Sequence, residues 1–185
     1  MPNHVMLDLE TLGTAPGSTI FVIGAVVFSS SVALLDDWEP SGFSIIIQRQ
    51  SAIDAGLTED PRTISWWEKQ DDAAYSQLRI ASAPPGSSSA VPIALALYDF
   101  AKWFESIGPI EGIWGNGAAF DLALLAEAYR RCGFGAPPWN HRQERCYRTL
   151  KSLAPGIPFV NEGIAHNAYD DAAAQAFHAN RILIG

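Results

Sequence analysis

The stretch His4-Val5-Met6-Leu7-Asp8-Leu9 alternates its side chains with a period of two and reads as a β-strand. Two runs of the same character follow: Ile20 to Phe28, dense in Val, Ile and Phe, and Phe43 to Ile47. The turn cluster Gly13-Thr14-Ala15-Pro16-Gly17-Ser18 separates the first two. Short connections favour antiparallel neighbours, because a parallel crossover needs a dozen or more residues. The chain is therefore expected to open as a three-stranded antiparallel meander.

Working outward, helical signals come next. Pro61 precedes Thr63 to Gln70, which carries Trp66 and Trp67. The run from Ser82 to Ser89 is a loop by composition and is expected to be mobile. After Pro92, the residues Leu97, Ala101, Phe104 and Ile107 share one helical face, and Gly108-Pro109 stops that helix. Ile110 to Trp114 reads as a fourth strand, broken by Gly115-Asn116-Gly117. Helices are expected over Asp121 to Cys132, Arg142 to Leu153 and Ala168 to Leu183. Strands first, then helices alternating with strands, give an α/β domain with a mixed sheet.

The 185 residues, 48% hydrophobic, suffice for one buried core and are too few for two ordinary domains, so a single domain over 1–185 is expected. Two cysteines, Cys132 and Cys146, do not make a disulfide framework. No secretory-type segment opens the chain and no apolar run is long enough to span a bilayer. The expectation is a reduced, cytoplasmic protein with no membrane partner. The net charge of −8 argues against a protein that coats nucleic acid, unless carboxylates converge on cations that invert the local potential. The cations are uneven: Arg130, Arg131, Arg142, Arg145, Arg148 and Lys151 share one stretch. Most of these read as solvated helix faces; one or two could hold phosphates.

Asp8-Leu9-Glu10 ends the first strand, and the period of two puts both carboxylates on one face. Two carboxylates side by side on a half-buried strand are costly unless a cation or a proton lies between them. A solvated strand end is the plain alternative, weakened by the apolar Val5-Met6-Leu7 leading into the pair. Asp121 stands after the Gly115-Asn116-Gly117 break, where an ordinary helix N-cap would also be acidic. In His166-Asn167-Ala168-Tyr169-Asp170-Asp171-Ala172 a histidine precedes an aspartate by five residues. Asp170 and Asp171 suit a helix N-terminus, but this does not explain the accompanying histidine, which can serve as a general base near neutral pH.

Together, Asp8, Glu10, Asp121, His166 and Asp171 form an ordered set that resembles the DEDDh branch of the DEDD exonuclease superfamily, which includes oligoribonuclease, RNase T and the proofreading subunit of the bacterial replicative polymerase. The D-x-E-T motif is Asp8-Leu9-Glu10-Thr11; the second motif ends in Asp121; H-x-A-x-x-D-A is His166 to Ala172. Ser65-Trp66-Trp67, Trp114-Gly115-Asn116-Gly117 and Cys146-Tyr147-Arg148-Thr149-Leu150 resemble a phage and bacterial subgroup, exonuclease VIII-like or RNase T-like.

The resemblance implies an RNase H-like fold, with a mixed sheet of about five strands, the first three antiparallel, and helices on both faces. It also implies a 3′→5′ exonuclease that releases nucleoside 5′-monophosphates from RNA or DNA with two divalent cations, Mg²⁺ or Mn²⁺. By resemblance, Asp8 bridges both ions, Glu10 and Asp171 complete one site, Asp121 serves the other, and His166 takes the proton of the attacking water. Thr11, Leu12 and Gly13, with Asn116, are expected to contact substrate. Leu12 either wedges against a base or simply packs. Trp66 or Trp67 could stack a base, with core burial expected for at least one of them. The expected partner is a nucleic-acid 3′ end, in a bacterial or phage-infected cytoplasm, with a homodimer also envisaged. A non-catalytic binding module of the same fold and a two-metal phosphatase are the rival readings.

Overall fold

The computed structural model describes residues 3–35 and 37–185. Five strands build one sheet: β1 (Asn3–Thr11), β2 (Ile20–Ser29), β3 (Gly42–Ile46), β4 (Ile110–Gly115) and β5 (Glu144–Cys146). Their spatial order is β3-β2-β1-β4-β5. The pairs β1·β2 and β2·β3 are antiparallel, as the meander predicts, whereas β1·β4 and β4·β5 are parallel. The helices are α1 (Arg49–Asp54), α2 (Pro61–Trp67), α3 (Asp72–Ser82), α4 (Ile93–Ser106), α5 (Asp121–Arg131), α6 (Tyr147–Leu153) and α7 (Ala168–Ile184).

Alternation along β1 separates two layers. Val5, Leu7 and Leu9 enter a core with Leu97, Phe100 and Leu125 from α4 and α5. Met6 points the other way, into a cluster with Val26, Phe28, Trp114 and the alanines of α7. Ala168, Ala172, Ala176 and Ala179 are fully buried at helical spacing, a stripe of small side chains that lets α7 lie close to the sheet. Closest approach falls at Gly24 of β2. A Cβ there would overlap the Ala168 carbonyl and the Tyr169 nitrogen. Gly24 pairs with Asp8 in the β1·β2 register, so the start of α7 is brought down beside Asp8.

The structure corrects one element and adds two. The single helix expected over Arg142 to Leu153 is a 3₁₀ turn (His141–Gln143), then β5, then α6. Its polar, helix-compatible residues are drawn into a parallel pairing with Ile113, Trp114 and Gly115 at the β4 edge, a tertiary effect with no local signal. Helices α1 and α3 are additional to the sequence reading. For α3 the signal was present: Asp71 caps Ala74 N–H at 2.8 Å, and Ala74, Leu78 and Ala81 are buried on one face. The Ser82 to Ser89 segment begins on the last residue of α3. Cys132 and Cys146 are both free thiols. Among the described residues no helix is long and apolar enough to cross a membrane.

Candidate active site

Asp8 and Glu10 project from the α7 face of β1, the face that Met6 occupies two residues earlier. Asp8 is half-buried and Glu10 is buried. The first turn of α7 supplies Asp171. Asn167 caps this helix, its side chain accepting from the N–H groups of Tyr169 and Asp170. The Asp171 carboxylate accepts from Asn161 Nδ2 at 2.6 Å and from the His166 backbone N–H at 3.0 Å. One turn further along α7, Gln175 Nε2 donates to Asp8 Oδ1 at 2.8 Å. Ligand atoms of Asp8, Glu10 and Asp171 lie within 4.8 Å of one another. Asp170 faces elsewhere: its carboxylate accepts from Ile164 N–H at 2.9 Å.

Asp121 opens α5 and is 2% exposed. It packs against Gly115, where a Cβ would lie 3.0 Å from Asp121 Cβ and Oδ2. It stands outside the close trio of carboxylates, yet its charge helps to raise the pKa of both Asp8 and Glu10. Burial is the main cause of the upward shift in all four carboxylates, and mutual repulsion adds to it for Asp8 and Glu10. Asp121 is pushed up to about 7, although backbone N–H groups of Asp121, Leu9 and Asn116 and the Arg148 charge pull it down.

The residues present fit a divalent cation on two observations. Glu10 Oε1 and Asp121 Oδ2 are buried without a hydrogen-bond partner, a costly state for a carboxylate oxygen unless a ligand completes it. The donor set is entirely oxygen, which suits hard cations of the Mg²⁺, Ca²⁺ and Mn²⁺ type.

His166 precedes α7 with φ of 62°, the one non-glycine residue in the left-handed region among those described. Such a backbone persists only where its surroundings hold it. Here its N–H is fixed on Asp171, and its ring stands edge-on to Trp66 at 4.9 Å and to Trp67 at 6.1 Å between centroids. Trp67 is the buried member of the pair: its indole donates to Thr11 O at 2.9 Å and meets Phe21 edge-on, tying α2 to the end of β1. Trp66 is 42% exposed.

A cleft of about 720 Å³ collects Asp8, Glu10, Asp121, His166 and Asp171, and Thr11, Trp66 and Asn116 line it as well. The structure does not bring Leu12 and Gly13 to its wall. Leu12 is fully buried with Phe21, Trp67 and Leu78, so of its two expected roles it packs. Gly13 is turned onto Ser18, where a Cβ would clash with the hydroxyl, and its carbonyl accepts from Thr11 Oγ1 at 2.7 Å. Gln175 and Asn161, which hold Asp8 and Asp171, were not anticipated. Gln175 lies four residues after Asp171, and helical spacing could have found it. Asn161 lies in a loop with no such signal.

Over residues 3–183 the chain matches the family model of the 3'-5' exoribonuclease Rv2179c-like domain. No curated protein matches it in sequence. Among solved structures it resembles E. coli exonuclease I in complex with a dA16 oligonucleotide, with TM-score 0.57 and 16% identity over 95% of this chain and 39% of that one. It also resembles exonuclease I in complex with inhibitor BCBP (TM-score 0.56, 15% identity, 98% of this chain and 40% of that one). A full-length 3'-exonuclease aligns with TM-score 0.50 and 12% identity over 98% of this chain and 81% of that one. The chain thus spans about two fifths of the exonuclease I chains, and at these identities the likeness is one of fold, the RNase H-like mixed sheet. By its family match the chain belongs to the 3'-5' exoribonuclease Rv2179c-like domain family.

Proposed function

We propose that this domain removes nucleotides one at a time from the 3′ end of RNA, using two divalent cations, Mg²⁺ or Mn²⁺, held by Asp8, Glu10, Asp121 and Asp171. The observation that carries the reading is the convergence of Asp8, Glu10 and Asp171 within 4.8 Å, with a bare Glu10 oxygen in a buried setting. RNA is favoured over DNA by the family to which the chain belongs.

When bound, the cations supply an activated water and neutralise the charge that develops on the phosphate. The rest falls to side chains. Gln175 fixes the rotamer of Asp8, and Asn161 with the His166 N–H fixes that of Asp171, so the carboxylates are oriented before any ion arrives. His166, on a strained backbone beside Asp171, takes the proton from the attacking water. Its ring packs edge-on against Trp66, 4.9 Å between centroids. Trp66 also offers exposed surface on which the terminal base can stack.

Matched RNA and DNA oligomers with a 5′ label test this reading. In Mg²⁺ the RNA should shorten in a ladder of single-nucleotide steps and release nucleoside 5′-monophosphates, faster than the DNA. Internal cleavage products, or faster loss of DNA, would contradict it.

A further inference from the structure

The cations clustered between residues 130 and 151 part company in the structure. Arg130 and Arg131 bind Glu127 at 2.6 and 2.8 Å. Arg145 bonds backbone carbonyls of Arg142 and Glu144. Only Arg148 and Lys151, three residues apart on α6, line the cleft. Among the described residues neither forms an ion pair with a carboxylate, whereas Arg62, which lines the cleft from α2, is held by Asp60 at 2.9 Å. Arg148 is partly engaged, donating to Asn116 O at 2.7 Å. Lys151 lies with its ammonium 4.4 Å over the ring of Phe159, which also lines the cleft.

Phe159 has a firm backing. Its ring rests against Tyr147 and His178, both buried. Tyr147 OH and His178 Nδ1 share a hydrogen bond at 2.7 Å, and Nε2–H of His178 donates to Ile157 O at 2.9 Å, which ties the segment carrying Phe159 to α6 and α7. The wall then opens to solvent past Leu153 and Val160, 77% and 57% exposed.

An exonuclease cleft needs one wall that closes on the terminal nucleotide and one that lets the remaining strand leave. The Thr11 and Trp66 wall is backed by buried Trp67 and carries a neutralised cation. The Lys151 and Phe159 wall offers an unpaired cation, an aromatic face and an open exit. We infer that Lys151 and Phe159 form the subsite for the nucleotide immediately upstream of the scissile bond, the ammonium taking its phosphate and the ring its base. A phosphate that draws the ammonium aside uncovers the ring, so one nucleotide engages both. This assignment rests on the exonuclease reading.

The test compares wild type with Lys151→Gln, Lys151→Arg and Phe159→Ala on two substrates. One is a labelled single-stranded RNA; the other is the p-nitrophenyl ester of thymidine 5′-monophosphate, which has no upstream nucleotide. Binding of the same RNA is measured across a salt series with Ca²⁺ replacing Mg²⁺. Lys151→Gln should reduce the slope of log affinity against log salt by about 0.7, the loss of one phosphate contact on a single strand, and Lys151→Arg should restore it. Lys151→Gln and Phe159→Ala should each lower kcat/KM for RNA relative to the ester by about tenfold, through KM. Equal losses on both substrates would place the terminal nucleotide at this wall and overturn the subsite, as would an unchanged ratio with an unchanged salt slope. If the wild type hydrolysed neither substrate, the exonuclease reading would fail, and the salt slope would still decide whether Lys151 holds a phosphate.

Discussion

The backbone N–H of His166 donates to Asp171 Oδ2 at 3.0 Å, so the proposed base and a proposed metal ligand are set by a single turn of chain. The bond needs only the main chain of residue 166. His166→Ala should therefore lower kcat by about 10²–10⁴-fold while the rise in melting temperature on adding Mg²⁺ remains. Steady-state kinetics with a parallel thermal melt checks this. Loss of the metal-induced rise in the variant would make the histidine a ligand or a structural support.

Gly24 is where α7 meets the sheet, opposite Asp8. A methyl group at this position has no free volume, because the neighbouring atoms are the backbone of Ala168 and Tyr169. Gly24→Ala should destabilise by about 1–3 kcal/mol through overpacking. By moving Asp171 away from Asp8 it should also weaken the metal-induced stabilisation. Thermal melts with and without Mg²⁺ separate the two effects; an unchanged metal response would show that α7 accommodates the methyl group without displacing Asp171.

With chelator present, the carboxylate cluster should make stability depend on pH. Asp8, Glu10, Asp121 and Asp171 are all raised by burial, Asp121 from 3.8 to about 7. A raised carboxylate favours the folded state while protonated, so this contribution is complete below 3.8 and is lost as pH climbs through about 7. The melting temperature in EDTA should fall across that window, and Asp8→Asn should flatten the fall. Saturating Mg²⁺ should oppose it, because the ion binds the deprotonated cluster; a hundredfold excess over Kd gives about 2.7 kcal/mol, or roughly 5–10 °C for a domain of this size. An EDTA melting curve that does not fall across this window would mean that the cluster is not under electrostatic strain.

Much of the site was legible because its geometry follows from local periods. The period of two on β1 places Asp8 and Glu10 together, and the helical turn separates Asp171 from Asp170, which the structure sends to Ile164 N–H. What escaped was set by tertiary contact. β5 is three residues long and exists because Gly115 and its neighbours on β4 offer an edge. Leu12 was read as either wedge or packing, and only the placement of Phe21 and Trp67 decides for packing. Asn161 reaches Asp171 because the loop before α7 folds over the cap of that helix, a path that no spacing rule encodes.

The central claim is that the carboxylates of Asp8, Glu10, Asp121 and Asp171 hold the cations on which hydrolysis depends. The most direct measurement is single-turnover degradation of a 5′-labelled RNA by Asp171→Ala at saturating Mg²⁺, with folding verified by circular dichroism. A folded variant whose hydrolysis is abolished, while the wild type shortens the RNA from its 3′ end, is the predicted result. A folded Asp171→Ala protein that degrades the RNA at the wild-type rate would contradict the claim.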